Sequence, residues 1–233
     1  MNIIITGASK GLGRSMALQF AEDKNNTLLV CARGEVGLYN LVQEIQTYFP
    51  DVNIKAMPID MAKKEEVIAF AEWCLSFGKP DILINNAGTF LPGTIADEDE
   101  GILETMMTTN LYSAYYLTRA LLPSMIEHKS GHIFNICSIA SLTAYNNGGS
   151  YSISKFALHG FSKNLREELK PKGIKVTGVF PGAAYTDSWS GSGIDPNRIM
   201  EADDVAKMVY AATKLSAQGV VEDIILRPQL GDL

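Results

Sequence analysis

A tyrosine and a lysine stand four positions apart, at Tyr151 and Lys155. On a helix, positions i and i+4 share a face, so the Lys155 ammonium can approach the Tyr151 phenol. A free tyrosine has a pKa of about 10, and a nearby positive charge is expected to lower that pKa by favouring the phenolate. Such a phenol can protonate a carbonyl oxygen. The pair alone is a weak signal, because the same spacing also occurs on exposed helices.

Two more polar residues suit the same chemistry. Ser138 follows a predicted strand, 132–137, and its hydroxyl can hold a substrate oxygen at the strand's carboxyl end. Asn110 lies in a long predicted helical region, 99–128. A buried amide in an apolar helix needs a hydrogen-bond partner. Asn110 is therefore either part of the site or one half of a helix–helix hydrogen bond.

Three glycines occupy the turn between the first predicted strand, 3–6, and the helix that follows it. They let the backbone turn sharply and approach a ligand closely, and the helix N-terminus offers free N–H groups to a phosphate. The spacing is Gly-x-x-x-Gly-x-Gly rather than Gly-x-Gly-x-x-Gly, so the strand–turn–helix context carries the prediction of nucleotide binding. The predicted contacts in this turn are Gly7, Ser9, Lys10, Gly11, Leu12 and Gly13.

Arg33, and no acidic residue, follows the second predicted strand, 27–32. In NAD-binding proteins an acid near this point binds the ribose 2′-hydroxyl, whereas an arginine accommodates a 2′-phosphate. With Lys10 in the glycine turn, Arg33 predicts NADPH in preference to NADH. The alternative is that Arg33 is a solvated loop charge.

Polar and small residues follow the third and fourth predicted strands. Two roles are open to Asp60: a hydrogen bond to an adenine amino group, or the N-cap of the helix that begins near Lys63. The turn after the fourth strand, 81–85, has small side chains that leave room for a cofactor at the carboxyl edge of the sheet. The further predicted cofactor contacts here are Met61, Asn86, Ala87 and Gly88.

Short β-branched runs alternate with segments of helical period along the chain. This alternation predicts right-handed βαβ crossovers, and the continuous apolar strands predict burial on both faces. We therefore expect an α/β fold with a doubly wound, mostly parallel sheet of about seven strands and helices on both faces. No linker or repeat divides the 233 residues, so one domain, 1–233, is the simplest organisation.

The composition argues against several classes of protein. A formal net charge of −6 gives no global basic field for nucleic acid or anionic lipid. No apolar stretch approaches the roughly 18 residues of a membrane-spanning helix, and the N-terminus runs directly into a strand, so we expect a cytoplasmic protein. Cys31, Cys74 and Cys137 are scattered, which predicts reduced, buried thiols. The three histidines lack metal-ligand spacing, so no metal site is expected.

Together these motifs resemble those of the short-chain dehydrogenase/reductase family, of the common single-domain type, over essentially the whole chain. Residues 6–13 resemble the family's cofactor turn, and residues 85–88 its Asn-Asn-Ala-Gly motif. Ser138, Tyr151 and Lys155 match its catalytic residues in order and spacing, and Asn110 matches the fourth catalytic position. The family's segment that contacts nicotinamide and phosphate is matched by Pro181, Gly182, Ala184 and Thr186.

The resemblance implies a role for each catalytic residue. Tyr151 would donate the proton, and Ser138 would steady the carbonyl. Lys155 would also bind the nicotinamide ribose, and Asn110 would hold a water that extends the proton path to Lys155. Hydride would pass from NADPH to the substrate carbon, reducing a ketone to a secondary alcohol. Because family members usually pair through the helices around the fifth strand, here 111–128 and 150–169, a homodimer or homotetramer is also implied.

A narrower resemblance, to bacterial sepiapterin reductases, is carried by residues 181–189 and 221–228. It implies that the substrate is the side-chain ketone of a pterin, whose flat heterocycle would stack on Tyr145 or Trp189. An acid, Asp187 or Asp232, would bind its amino groups.

The stretch 182–197 follows a strand end and is rich in glycine and serine, so we predict a substrate lid there. Two alternatives to a pterin reductase are compatible with the same motifs. The same motifs serve reductases of 3-oxoacyl thioesters or of general ketones, and a non-catalytic NADP(H) sensor can share the fold.

Overall fold

The apolar runs form strands in a computed structural model, which describes residues 1–186 and 193–232. The strands in these residues are β1 (Asn2–Thr6), β2 (Thr27–Ala32), β3 (Asn53–Pro58), β4 (Ile82–Asn85), β5 (Gly131–Ile136), β6 (Ile174–Pro181), β7 (Ala184–Tyr185), β8 (Met200–Glu201) and β9 (Asp223–Leu226). Seven of them form one parallel sheet in the order β3-β2-β1-β4-β5-β6-β9. The short strands β7 and β8 pair separately.

Helices cover both faces of the large sheet. The described α-helices are α1 (Gly11–Ala21), α2 (Glu35–Tyr48), α3 (Lys64–Leu75), α4 (Ile102–Met107), α5 (Ser113–Glu127), α6 (Gly149–Leu169) and α7 (Ala202–Thr213). Because neighbouring strand residues point to opposite faces, Ile3 and Ile5 pack in one apolar cluster with α1, α2 and α7. Ile4 packs in a second cluster with α3, α5 and α6. The predicted doubly wound α/β fold is confirmed.

The strand order places the candidate site. From β1 the chain builds outward to β3 on one side, and from β4 outward to β9 on the other. In open α/β sheets, ligands bind in the crevice at the carboxyl ends of the strands on either side of such a reversal. The glycine turn follows β1, the Asn-Asn-Ala-Gly turn continues from β4, and Ser138 follows β5.

The predicted helical region 99–128 is not one regular helix. It consists of α4, a π-helical turn at Thr108–Tyr112, and α5. The hydrophobic pattern did not show the π turn, since a single wider turn is too short to establish a period of its own. The pair β7–β8 was also missed, because strands of two residues carry no period. In the described ranges, no helix has the length and apolar character needed to cross a bilayer.

Candidate active site

The glycine turn after β1 packs tightly against the turn after β4. A Cβ on Gly13 would lie 2.3 Å from the Gly7 carbonyl oxygen and 2.5 Å from Asn86 Nδ2. Gly7 itself has a φ of +65°, and a Cβ there would lie 2.9 Å from the Ala87 Cα. Both positions therefore require glycine for reasons of space, and Gly7 also for its left-handed backbone.

Hydrogen bonds join the same two turns. The buried Thr6 hydroxyl accepts the backbone N–H groups of Asn86 at 3.0 Å and Ala87 at 2.9 Å. In return, Asn86 Nδ2 donates to the carbonyl oxygens of Thr6 at 2.8 Å and Gly7 at 3.1 Å. Asn86 and Ala87 thus fix the shape of the glycine turn. Thr6 was missed as a contributor, although its position at the end of a buried strand singles out its hydroxyl as a group that needs partners.

The N-terminus of α1 is open to an anion. Its N-cap residue is Lys10, no side chain in the described residues caps it, and its first turn holds no acid. Its first N–H groups have no helical partner, so they suit a phosphate. A cavity of about 390 Å³ adjoins this end and is lined in part by Lys10, Gly11 and Thr186. A Cβ on Gly11 would lie 3.3 Å from Thr186 Cγ2, so the segment after β6 reaches the glycine turn.

The other flank of the glycine turn lies against β2 and α2. The Ala8 N–H donates to the Cys31 carbonyl at 3.0 Å. A Cβ on Gly37 of α2 would lie 2.9 Å from Ser9 Cβ. Arg33 follows β2 on this flank and is exposed, with no ion pair to another described residue. The surroundings of Arg33 therefore leave its guanidinium available to a ligand.

The segment after β3 excludes one of the two roles that were open to Asp60. The N-cap of α3 is Lys63, not Asp60, and Asp60 Oδ1 instead accepts the Ala62 N–H at 3.0 Å to close a local turn. The helix-capping alternative is therefore wrong. Met61 is buried, with its sulfur 3.8 Å from the Cys31 sulfur, so its side chain belongs to the core.

Ser138 and Tyr151 meet at the carboxyl edge of the sheet. Ser138 lies two residues beyond β5, where it is the N-cap of the 3₁₀ turn Ile139–Ser141. Its side chain lies close enough to the phenol of Tyr151, in the first turn of α6, to lower the pKa of that phenol. Lys155, one turn further along α6, donates from Nζ to the Ile136 carbonyl at 2.8 Å. Its Nζ lies 5.8 Å from the centroid of the Tyr151 ring.

Burial decides the ionisation of this pair. It raises the pKa of Tyr151 above its usual value, and the neighbouring Ser138 side chain opposes the shift only in part. The expectation that Lys155 lowers the Tyr151 pKa is therefore wrong for the protein alone. Burial also lowers the pKa of Lys155 to about 8, with the nearby Cys137 thiol acting in the opposite direction.

Asn110 is fully buried in the π-helical turn and uses its whole amide. Its Oδ1 accepts the Thr89 N–H at 2.7 Å, and its Nδ2 donates to the Thr89 carbonyl at 3.0 Å. Nδ2 also donates to Ser154 Oγ at 2.9 Å, and that hydroxyl donates to the Tyr151 carbonyl at 2.7 Å. Asn110 therefore bonds to α6 and to the loop after β4.

Gly88 separates Asn110 from Lys155. A Cβ at Gly88 would lie 3.2 Å from Asn110 Oδ1 and 3.6 Å from Lys155 Nζ. The two alternatives for Asn110 are thus not exclusive, because it makes an interhelical hydrogen bond and also stands beside the lysine.

Two aromatic rings stand beside Tyr151. Phe90 meets it edge to face, with ring centroids 4.8 Å apart, and Tyr145 is near enough that burial and the Tyr151 phenol together raise its pKa to about 12. Phe90 is 44% exposed and Tyr145 is 47% exposed, so both can also meet a substrate. Tyr145 was predicted and Phe90 was not, although an aromatic residue two positions after the small-residue turn was a usable signal.

The predicted substrate lid is only partly described, and Asp187 and Trp189 lie outside the described residues. At its start, Pro181 ends β6 and Ala184 pairs with Met200. A Cβ on Gly182 would lie 3.1 Å from Asp232 Oδ1, so the C-terminal residues reach this segment.

Cysteines and possible metal ligands add no chemistry here. The three cysteines are buried free thiols, as expected. Within the described ranges, no group of three or more His, Cys, Asp or Glu is arranged to hold a metal ion.

Comparisons with known proteins agree with this architecture. The family described as short chain dehydrogenase matches residues 1–196. The chain is 32% identical over 239 residues to a sepiapterin reductase of Chlorobaculum tepidum, covering 99% of this chain and 97% of that one. A metagenomic short-chain oxidoreductase in complex with NADP superposes with a TM-score of 0.84 at 28% identity, covering 98% of this chain and 97% of that chain. An alcohol dehydrogenase from the archaeon Thermococcus sibiricus, complexed with 5-hydroxy-NADP, gives a TM-score of 0.89 at 26% identity, covering 98% and 96%.

Proposed function

The chain belongs to the short-chain dehydrogenase family, and we propose that it is an NADPH-dependent reductase that converts a ketone to a secondary alcohol. One observation carries the proposal. Ser138 and the phenol of Tyr151 stand together beside a buried Lys155, at the same sheet edge as the glycine turn and the uncapped start of α1. A sensor that only binds the cofactor has no need of this arrangement.

The residues present fit NADPH. Lys155 is only 5% exposed, and its ammonium makes one hydrogen bond to the described residues although it has three donors. A buried ammonium needs further acceptors, and ribose hydroxyls would provide them. The open N-terminus of α1 suits the pyrophosphate, and Arg33 with Lys10 suits the 2′-phosphate. The NADP complexes of similar structures support this assignment. NADPH, when bound, supplies the hydride.

The protein's own groups handle the proton. Because burial raises the pKa of Tyr151, the phenol carries its proton at neutral pH and can donate it to the carbonyl oxygen. Ser138, whose hydroxyl lies beside the phenol, would hold that oxygen in place. The positive charge of Lys155 would then stabilise the phenolate that remains on Tyr151.

We further propose that the substrate is a pterin with a side-chain ketone. The similarity to a sepiapterin reductase supports this, as do the exposed rings of Phe90 and Tyr145 beside Tyr151, which suit a flat heterocycle. Asp232 lies beside Gly182 and is paired with Arg227, so its carboxylate adjoins the segment proposed to contact the cofactor and is a candidate for binding the pterin amino groups. Asp187 and Trp189 remain proposed contacts.

The test follows NADPH absorbance with sepiapterin, a 3-oxoacyl thioester and a panel of simple ketones. Tyr151→Phe should abolish turnover and leave NADPH binding intact, because only the phenolic hydroxyl is lost. Equal background rates in wild type and variant would refute the reductase proposal and favour the sensor. A kcat/KM for the thioester above that for sepiapterin would refute only the pterin assignment.

We also propose a homodimer, or a tetramer built from it, that pairs through α5 and α6. Four apolar side chains on these helices and the adjoining π turn are more than one-third exposed, namely Tyr112, Tyr115, Ile153 and Phe156. A scattering mass of one 25.4 kDa chain would contradict the pairing. A cytoplasmic location remains a prediction, in keeping with the buried free thiols.

A further inference from the structure

Helix α6 begins without a capping group of its own. Its N-cap residue is Gly148, which has no side chain to accept a hydrogen bond, and its first turn holds no acid. The first N–H groups of a helix have no partner within it, so an uncapped first turn tends to fray. Tyr151 lies in that turn, as the third residue of α6. The position of the proposed proton donor therefore depends on what holds the start of the helix.

Glu98, from the loop between β4 and α4, supplies the missing cap. Its Oε1 accepts the Ser150 N–H at 2.8 Å, and its Oε2 accepts the Ser150 hydroxyl. A carboxylate at a helix N-terminus is also favoured by the helix dipole. Two charge-assisted hydrogen bonds thus converge on the residue that immediately precedes Tyr151.

Two glycines make room for this carboxylate. Gly149 has a φ of +30°, and a Cβ there would lie 2.0 Å from Glu98 Oε1. A Cβ on Gly93 would lie 2.7 Å from Glu98 Cγ. The Gly93 N–H also donates to the Asn147 carbonyl at 3.2 Å, which joins the same two loops. Glu98 is therefore enclosed between backbone segments and is not a free surface charge.

The loop that carries Glu98 is itself fixed to the site. Asn110 holds both the N–H and the carbonyl of Thr89, and Phe90 lies edge to face on the Tyr151 ring. The loop thus contacts the Tyr151 ring through Phe90 and the residue before Tyr151 through Glu98. Movement at the Glu98 end would change the angle at which the phenol enters the site.

We infer that Glu98 is a positioning residue, which holds Tyr151 in its reactive position by capping α6 from another element. This inference rests on the proposed catalytic role of Tyr151. A displacement of about 1 Å at a reacting group can lower a rate about 100-fold. We therefore expect Glu98→Ala to lower kcat by about 10- to 100-fold, with KM and NADPH affinity nearly unchanged.

Matched variants separate capping from charge. Glu98→Gln keeps an oxygen that can accept the Ser150 N–H, and its amide can donate to the Ser150 hydroxyl, so it should recover most of kcat. Glu100→Ala removes an exposed acid of the same loop that has no hydrogen bond or ion pair to the described residues, and it should behave as wild type. Ser150→Ala removes only the hydroxyl contact and should give a smaller loss, which keeps the test usable if Glu98→Ala folds poorly.

Amide hydrogen exchange without cofactor provides a readout other than activity. Glu98→Ala should accelerate exchange in the peptide 148–156 and leave the sheet strands protected. Uniformly faster exchange, an unchanged kcat, or a glutamine variant as impaired as alanine would overturn the inference. If wild type reduces no ketone, the proposed function fails, while the exchange result still decides whether Glu98 holds the start of α6.

Discussion

Replacing Gly13 with alanine tests the tight packing between the glycine turn and the Asn86 turn. The new Cβ would lie 2.3 Å from the Gly7 carbonyl oxygen and 2.9 Å from its carbon, and 2.5 Å from Asn86 Nδ2. Cβ contacts under 3.0 Å are essentially never seen, so the Gly7 backbone or the Asn86 side chain must move. Either movement breaks the hydrogen bond between Asn86 Nδ2 and the Gly7 carbonyl.

The opposing energies can be compared. Alanine in place of glycine within a helix gains about 0.5–1 kcal/mol. Overpacking costs about 1–3 kcal/mol, and each lost hydrogen bond about 0.5–1.5 kcal/mol. We expect Gly13→Ala to lose about 1–3 kcal/mol of unfolding free energy, which for a chain of this size lowers Tm by about 2–4 °C per kcal/mol. Because the shifted atoms shape the turn, the Kd for NADPH should rise by about tenfold or more.

Gly160→Ala is the matched control. Gly160 is also helical and exposed in the single chain, and a Cβ there meets nothing within 4 Å of that chain, so alanine should stabilise the chain itself by about 0.5–1 kcal/mol. Thermal unfolding followed by circular dichroism and NADPH titration by fluorescence measure both variants. If Gly13→Ala matched Gly160→Ala in Tm and in Kd, the packing argument would be refuted.

Three further predictions concern the cofactor, the pH profile and the turn. Arg33→Asp should weaken NADPH binding about 10- to 100-fold more than NADH binding, since it removes charged hydrogen bonds to the 2′-phosphate; equal losses in titration would contradict this role. The kcat/KM for reduction should fall as pH rises through about 8, because burial lowers the pKa of Lys155 to about 8 and its ammonium loses its charge there. A flat profile up to about pH 10 would contradict that cause. Thr6→Val leaves the N–H groups of Asn86 and Ala87 without an acceptor and should cost about 1–3 kcal/mol in denaturant unfolding; unchanged stability would show that the hydroxyl is not needed.

The regular elements were predictable because burial on both sheet faces imposes long apolar runs. The predicted strand 27–32 matches β2 residue for residue, and the predicted helix 150–169 begins one residue after the start of α6. Ser138 was expected directly at a strand end, but β5 stops at Ile136 because Ser138 caps a 3₁₀ turn instead. The π turn around Asn110 escaped prediction because it depends on contacts with Thr89 and Ser154, which are distant in sequence.

The site residues also divide into those that spacing can predict and those that it cannot. Tyr151 and Lys155 could be found from spacing, since one helix fixes their relation. Glu98 could not, because its importance comes from a loop that meets α6 only in the folded chain. Asp60 shows the converse: its residue type suited a helix cap, but the chain closes a turn around it before α3 begins.

Spacing also predicted the wrong direction for the pKa of Tyr151, which burial raises. Spacing brings Lys155 near, but burial acts on both groups, raising the pKa of the phenol above its usual value and lowering that of the ammonium to about 8. The phenol is therefore the weaker acid of the two, and it keeps its proton until, in the proposed reduction, a substrate oxygen takes it. Lys155 Nζ lies 5.8 Å from the centroid of the Tyr151 ring, so its charge is near enough to stabilise the phenolate that proton donation would leave.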